Sequence, residues 1–220
     1  MNKKVAVLLS GCGVFDGSEI QEATLTLYFL HKENVEIIPI APDKNQFQVI
    51  NHNSQNEMTE KRNILIESAR IARGEVRNLT SVSVNDFDGL ILPGGAGAAT
   101  NLSDYDVKGR NCIIDPEVKN IIYNSVLARK PLGVMCISPI LVAVALKNTD
   151  IHPLLTIGND SKTTSDIEFF RAKHKPCKVD EIAVDENHRI VSTPAYMLGP
   201  GIADIAPGIE KLVKKVVEWL

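Results

Sequence analysis

The chain alternates between short apolar runs and longer segments with helical periodicity. The runs are apolar at nearly every position, which is typical of strands buried on both faces of a sheet. They predict strands at residues 5–10, 35–41, 89–92, 131–135 and 154–157. Helical patterns predict helices at residues 19–32, 60–73, 115–128, 137–146, 165–173 and 209–220. This alternation predicts one doubly wound α/β domain, built on a parallel sheet, over residues 1–220.

Turn and capping residues mark several of these boundaries. Ser18 and Gln21 have the spacing of a capping box, which predicts Ser18 as the N-cap of the first helix. Residues 182–185 and 189–192 flank a polar turn, which predicts a β-hairpin. We therefore expect a small antiparallel addition near the C-terminal end of the sheet.

Residues 43–76 interrupt the strand–helix rhythm. A polar stretch in the first half of this segment predicts a hairpin or other excursion, and the amphipathic pattern after it predicts a helix closed by Gly74. So much material between two strands is unusual for a bare loop. We interpret residues 43–76 as an insertion that narrows the mouth of a pocket or builds a dimer contact.

Composition excludes several classes of protein. Hydrophobic residues make up 44% of the 220 residues and charged residues 23%, which excludes wholesale disorder. The net charge of -3 gives no electrostatic footprint for nucleic acid or an anionic membrane, so neither is expected as a partner. The N-terminal apolar run is too short for a signal peptide, and the 4 cysteines include no C-x-x-C pair. We expect a reducing, cytoplasmic location, and an organellar location after removal of a transit peptide stays open.

A strand-to-helix junction carries the strongest chemical signal. An apolar strand ends at Cys136, and a helix begins at once with Pro139 in its first turn. Such a turn presents the side chain at its apex over the carboxyl edge of the sheet, and the helix N-terminus favours a thiolate, the reactive form of cysteine. We interpret Cys136 as a candidate nucleophile; a buried cysteine that only packs is the structural alternative.

Two glycines leave a neighbouring strand at the same edge. Consecutive glycines let the backbone approach a ligand closely, so Gly94 is a candidate for the pocket wall. The N–H groups of Gly95 and Ile137 together form a candidate oxyanion hole for the product of cysteine addition to a carbonyl. No Lys-Ser or Lys-Thr follows, which excludes a phosphate-binding P-loop.

Glu22 is the candidate proton carrier. It lies one turn after Glu19 near the start of the first helix, just beyond the first strand. A glutamate on a helix is commonly a solvated charge. If the Glu22 side chain instead points into the sheet edge, desolvation raises its pKa and suits it to general acid–base work.

The remaining candidates carry weaker signals. Cys12 follows the first strand, which predicts a role in packing or in the pocket wall. The 5 histidines show no metal-ligand spacing, so no metal site is expected, and His52 is interpreted as a surface residue of the insertion. Cys112 and Cys177 are interpreted as structural.

Together these motifs resemble the PfpI superfamily, which is related to class I glutamine amidotransferases. The resemblance rests on Glu22 and on two runs, Leu92-Pro93-Gly94-Gly95 and Val134-Met135-Cys136-Ile137-Ser138-Pro139. Further runs are similar to the ElbB family, also called enhancing lycopene biosynthesis or sigma cross-reacting proteins. They are Leu9-Ser10-Gly11-Cys12-Gly13-Val14, Ala41-Pro42-Asp43-Lys44, Val49-Ile50-Asn51-His52 and Thr193-Pro194-Ala195-Tyr196-Met197-Leu198, and the similarity covers nearly the whole chain.

The resemblance implies a fold and an activity. It implies a flavodoxin-like sandwich that forms a homodimer, with Cys136 as nucleophile and Glu22 hydrogen-bonded to it. ElbB-type members are described as glyoxalases that need no cofactor, so a small carbonyl substrate, methylglyoxal or glyoxal, is the expected partner. Cys136 would then form a hemithioacetal, Glu22 would move a proton, and a hydroxy acid would result.

Two departures from the superfamily bear on the alternatives. Ile137 stands where protease-like members carry a histidine, and no His-x-Glu pair follows near Tyr196, so hydrolase and amidotransferase activities are disfavoured. A non-enzymatic role stays open, either as a redox sensor through Cys136 or as a partner-binding module in isoprenoid metabolism.

Overall fold

A seven-stranded sheet runs through the centre of the computed structural model, which describes residues 3–220. Along the sheet the strand order is β3-β2-β1-β4-β5-β9-β8, and all neighbours are parallel except β8 and β9. The seven strands are β1 (Lys4–Leu8), β2 (Glu36–Ala41), β3 (Arg77–Asn78), β4 (Gly89–Leu92), β5 (Leu132–Met135), β8 (Ala183–Asp185) and β9 (Ile190–Thr193). A separate parallel pair consists of β6 (Leu154–Leu155) and β7 (Lys173–His174). The flavodoxin-like doubly wound fold and its small antiparallel addition are confirmed.

Helices cover both faces of the sheet because the central strands are apolar on both sides. The helices are α1 (Ile20–Lys32), α2 (Ile64–Ile71), α3 (Ala96–Thr100), α4 (Tyr105–Lys108), α5 (Pro116–Leu127), α6 (Pro139–Leu146), α7 (Ser161–Phe169) and α8 (Ile202–Glu218). One core layer joins the sheet to α1, α2 and α8, and the other joins it to α3–α7. Across the described residues, every helix is too short or too polar to traverse a bilayer.

The topology fixes where a ligand site can form. The chain leaves β1 towards β2 on one side, and later returns to place β4 on the other side of β1. In doubly wound sheets the crevice at such a reversal, beyond the carboxyl ends of the strands, is where ligands bind. The loops after β1, β4 and β5 all end there.

Several predicted boundaries are wrong. The first helix is capped by Glu19, whose carboxylate accepts from the Glu22 N–H, because the Ser18 hydroxyl is already engaged with the Ser10 N–H. The helix predicted at 165–173 begins earlier, behind the N-cap Asp160. The last helix begins at Ile202 rather than at 209 and contains Pro207, because a continuous buried stripe on its inner face outweighs the hydrogen bond that proline removes.

The predicted insertion, residues 43–76, contains an irregular hairpin and then α2. Backbone pairs join Asn45 to Asn63 and Ile50 to Glu57, so the expected excursion is present. Its helix is shorter than expected and starts behind the N-cap Asn63. The hairpin contacts the loop after β1: the Ile50 N–H donates to the Asp16 carboxylate at 2.7 Å.

Asn101, just after α3, joins the loop after β1 to the hairpin of residues 43–76 by hydrogen bonds. Its side-chain amide donates to the carbonyls of Ser10 and Asp16, each at 2.8 Å, and its side-chain oxygen accepts from the Phe47 N–H at 2.8 Å. Asn101 is only 4% exposed, so these groups have no ready replacement from water. One side chain thus holds the β1 loop against the hairpin.

We expect Asn101→Ala to lower the free energy of unfolding by roughly 2–4 kcal/mol, because it removes the partners of the Ser10 carbonyl and the Phe47 N–H. The Asp16 carbonyl keeps a second donor, the side-chain amide of Gln46. Asn120→Ala is the matched control, since Asn120 bonds only to Asn124 on the exposed face of α5. Its change should stay within about 0.5 kcal/mol. Urea titration measures both, and equal losses in the two variants would contradict the role given to Asn101.

Candidate active site

Cys136 sits at a sharp turn between β5 and α6. Its φ of 58° lies in the left-handed region, where a non-glycine residue costs on the order of 1–3 kcal/mol. Two hydrogen bonds hold the turn: the Cys136 N–H donates to the Thr193 carbonyl at 3.1 Å, and the Ser138 hydroxyl donates to the Pro93 carbonyl at 2.6 Å. The strained turn predicted from the sequence is therefore present, and it sets Cys136 at the carboxyl edge of the sheet.

Glu22 is fully buried, in the first turn of α1. One carboxylate oxygen accepts from the Gly94 N–H at 2.8 Å, and the other accepts from the Tyr196 N–H at 3.1 Å. A solvated charge on a helix surface makes no such contacts. Glu22 therefore points into the sheet edge, as the functional interpretation required.

The Glu22 carboxyl and the Cys136 thiol face each other across Gly94, and each raises or lowers the pKa of the other. The backbone N–H groups of Gly95 and Ile137 lower the pKa of the Cys136 thiol. The two proposed oxyanion donors thus lie beside the atom that would attack a carbonyl. This convergence places four of the sequence-predicted residues in one site.

Gly94 forms the wall between the acid and the thiol. A Cβ atom at this position would lie 2.4 Å from the Cys136 Cβ and 2.8 Å from a Glu22 carboxylate oxygen. Gly95 is as tightly enclosed, because a Cβ there would lie 2.3 Å from the Glu19 nitrogen, and its φ is 100°. Only glycine fits at either position.

Burial dominates the ionisation of both groups. Burial raises the pKa of Glu22 to about 7; the Tyr196 and Gly94 N–H groups oppose the rise, and the Glu19 carboxylate adds to it. Burial, followed by the nearby Glu22 charge, raises the pKa of Cys136 well above its ordinary value, although the Gly95 and Ile137 N–H groups lower it. The effect of the helix terminus, which favours a thiolate, is therefore outweighed by desolvation and by the nearby carboxylate. Both shifts favour a protonated thiol beside a carboxyl group whose pKa is about 7.

Cys12 lies towards α2. It is partly exposed, and burial raises its pKa, with Glu67 adding to the rise and Arg70 opposing it. These charged neighbours belong to α2 rather than to the Glu22–Cys136 pair. A place in the substrate-pocket wall stays a prediction for Cys12.

The other singled-out residues lie outside the pair. The His52 ring packs on Phe15, and its Nε2 accepts from the Phe15 N–H at 3.3 Å. Cys112 and Cys177 are buried, in keeping with structural roles. Within residues 3–220 no group of three or more His, Cys, Asp or Glu side chains is arranged to hold a metal ion.

Sequence reasoning missed the contribution of Tyr196. Its backbone N–H, rather than its side chain, reaches Glu22, so the residue type gives no warning. The available signal was positional: Tyr196 follows β9, whose carboxyl end reaches the same edge as β5 because the two strands are parallel.

Comparison with known proteins yields relatives over nearly the whole length of the chain. The chain is 40% identical over 226 residues to the mitochondrial ES1 protein homolog of Rattus norvegicus, covering 98% of this chain and 83% of that protein. It is 39% identical over 225 residues to the mitochondrial glutamine amidotransferase-like class 1 domain-containing protein 3 of Homo sapiens, covering 98% and 82%. No protein-family model matches the chain.

Solved structures agree with the fold. A crystal structure of an isoprenoid biosynthesis protein with an amidotransferase-like domain from Ehrlichia chaffeensis is 39% identical, with a TM-score of 0.91, and covers 99% of this chain and 100% of that chain. Drosophila melanogaster DJ-1beta is 15% identical with a TM-score of 0.58, over 100% of this chain and 96% of that one, and shows the shared fold alone.

Glu22 makes the stability of the fold depend on pH. Because its pKa rises from 4.5 to about 7 on folding, the folded protein keeps a proton that the unfolded chain loses earlier. The stabilisation of the folded protein by this bound proton is fully present below the pKa of Glu22 in the unfolded chain. It is lost as the pH rises through the pKa of Glu22 in the folded protein. At about 1.4 kcal/mol per pKa unit this amounts to roughly 3 kcal/mol.

We therefore expect the free energy of unfolding of the wild-type protein, taken relative to Glu22→Gln, to fall by that amount between about pH 4 and pH 8. Urea titration at a series of pH values measures it. Cys136→Ser keeps Glu22, so its free energy of unfolding should show most of the same decrease over this pH range. Parallel pH curves for the wild type and Glu22→Gln would show that folding does not raise the pKa of Glu22.

Proposed function

The chain belongs to the family of ES1 proteins and glutamine amidotransferase-like class 1 domain-containing protein 3, and on that premise we propose that it is a glyoxalase-like enzyme. It converts small 2-oxoaldehydes such as methylglyoxal and glyoxal to hydroxy acids without a cofactor. The observation that carries the proposal is the fully buried Glu22 carboxyl, which lies across Gly94 from the Cys136 thiol. The finer assignment to the ElbB family, indicated by the sequence motifs, is part of this proposal.

The first step is addition of the thiol to the aldehyde. The Glu22 carboxylate removes the thiol proton as the Cys136 sulfur bonds to the aldehyde carbon, and the proton then passes to the former aldehyde oxygen. The product is a hemithioacetal. A base with a pKa of about 7 suits this step, because it is substantially ionised at neutral pH and still basic enough to accept a proton.

The second step moves hydrogen between carbons. Glu22 removes the proton from the former aldehyde carbon and passes it to the neighbouring carbonyl oxygen, giving an enediol. The hydroxyl proton on the sulfur-bearing carbon then moves, through Glu22, to the neighbouring carbon. This leaves a thioester of the hydroxy acid on Cys136, with no net oxidation. The Gly95 and Ile137 N–H groups stabilise the negative oxygen that develops, and each such donor is worth roughly 3 kcal/mol in comparable sites.

Water completes the cycle. It attacks the thioester carbon, the carbon–sulfur bond breaks, and the thiol regains its proton while the hydroxy acid leaves. The Gly95 and Ile137 N–H groups serve the tetrahedral intermediate of this step as well. One molecule of methylglyoxal and one of water give one molecule of lactic acid.

The alternatives have less support at this site. A redox sensor was suggested by a readily ionised cysteine, and burial raises the pKa of Cys136 instead. For glutamine hydrolysis, the turn after β9 would need to carry a histidine, and Tyr196 occupies it. A role in isoprenoid biosynthesis, the description given to the Ehrlichia chaffeensis protein, is compatible with the proposed chemistry. The cytoplasmic location and the homodimer stay predictions.

We expect Cys136→Ser to abolish lactate formation from methylglyoxal and Glu22→Gln to lower kcat by roughly 10²- to 10⁴-fold, the usual contribution of general acid–base catalysis. Cys177→Ser is the matched control, because Cys177 lies elsewhere in the core and should leave the rate near wild type. Lactate is quantified by chromatography in thiol-free buffer. Lactate formation at the parent rate in either Cys136→Ser or Glu22→Gln would refute the proposal.

A further inference from the structure

The turn after β9 contacts α1 twice at neighbouring residues. The Tyr196 backbone N–H donates to the Glu22 carboxylate at 3.1 Å. The Tyr196 hydroxyl donates to the side-chain oxygen of Gln21, the residue just before Glu22. Backbone and side chain of one tyrosine therefore hold adjacent positions of one helix.

This turn is short, and Ala195 anchors it in the core. It is a single 3-10 turn at Ala195–Met197, and Ala195 has a φ of 45°, in the region that disfavours side chains. Inside the turn, the Met197 N–H donates to the Pro194 carbonyl at 3.0 Å. None of these local bonds fixes the turn relative to α1, whereas the Tyr196–Gln21 bond does.

We propose that Tyr196 and Gln21 are positioning residues, whose side-chain hydrogen bond keeps the Tyr196 N–H aimed at the Glu22 carboxylate. The proposal rests on the role of Glu22 as proton carrier. The Tyr196 N–H differs from the Gly94 N–H, the other donor to Glu22. Gly94 is held by the backbone, because the Glu19 N–H donates to the Gly94 carbonyl at 2.9 Å. Of the two N–H groups that donate to Glu22, the one from Tyr196 can therefore be weakened by removing the Tyr196–Gln21 side-chain hydrogen bond, without changing Glu22 or Cys136.

Loosening this donor changes the ionisation of Glu22 in a known direction. An N–H that donates to a carboxylate stabilises the charged form, so its loss raises the pKa of Glu22. The other groups that face Glu22 are the Glu19 carboxyl from the start of α1 and the Cys136 thiol from the β5–α6 turn. Tyr196 itself also faces Asp204 of α8. The Glu19, Cys136 and Asp204 side chains are unchanged in both Tyr196→Phe and Gln21→Ala.

The test follows the rate of Cys136 alkylation by iodoacetamide against pH, read on the Cys136 peptide by mass spectrometry so that the other cysteines do not interfere. Because Glu22 accepts the thiol proton, the rate should rise with the ionisation of Glu22. We expect the midpoint to move upwards by roughly 0.3 to 1 pH unit in Tyr196→Phe and in Gln21→Ala. The double variant should show no further shift, since both changes remove the same bond.

Tyr28→Phe is the matched control, because Tyr28 is exposed on the same helix and should leave the midpoint unchanged. Gln21 is also exposed, so its variant tests the proposal even if Tyr196→Phe folds poorly. A wild-type midpoint in Gln21→Ala, additive shifts in the double variant, or an equal shift in Tyr28→Phe would overturn the proposal. Alkylation needs no turnover, so a shift without lactate formation in the parent protein would sustain this inference and refute the proposed activity.

Discussion

A buried carboxyl group has to be satisfied at the carboxyl edge of this sheet, and the surrounding loops are arranged around that requirement. Glu22 comes from α1, while its partners come from the ends of β4, β5 and β9: the Gly94 N–H, the Cys136 thiol and the Tyr196 N–H. Leaving a buried carboxylate without such partners would cost several kcal/mol. The three strand ends and the helix must therefore keep a fixed geometry, which is what a reaction site also needs.

The same burial determines the chemistry. Desolvation raises the pKa of Glu22 and of Cys136 together, so the site does not rest as an exposed thiolate. In the proposed reaction, the thiol becomes a nucleophile when Glu22 takes its proton. A site with a raised thiol pKa holds little free thiolate, which limits reaction with oxidants.

The parts of this arrangement that sequence patterns reveal are those fixed by local composition. The apolar runs of β1, β4 and β5 could be predicted because strands buried on both faces tolerate few polar residues. The turn at Cys136 could be predicted because the strand ends and Pro139 opens a helix at once. The N-cap of α1 could not be predicted in this way. Ser18 is a residue type that caps helices, but its hydroxyl accepts a hydrogen bond from the Ser10 N–H, a contact that exists only in the folded chain.

The misjudged and missed features depend on the assembled structure. A helix terminus next to Cys136 is visible in sequence, whereas the depth of burial that overrides it is not. Tyr196 acts on Glu22 through a backbone N–H that every residue but proline possesses, so no residue pattern marks it. The apolar periodicity used to predict the last helix begins at residue 209, whereas the buried face of α8 starts earlier and continues past Pro207.

The central claim is that a protonated Cys136 thiol rests beside a carboxyl group that ionises near neutral pH and acts as its base. Infrared difference spectroscopy tests it directly: wild type minus Glu22→Gln isolates the carboxyl band, and wild type minus Cys136→Ser isolates the S–H band. We expect the protonated carboxyl band to disappear around a pH of about 7, while the S–H band persists into clearly alkaline solution. Loss of the S–H band near neutral pH, with the carboxyl band retained, would contradict it and would make the thiolate the resting form.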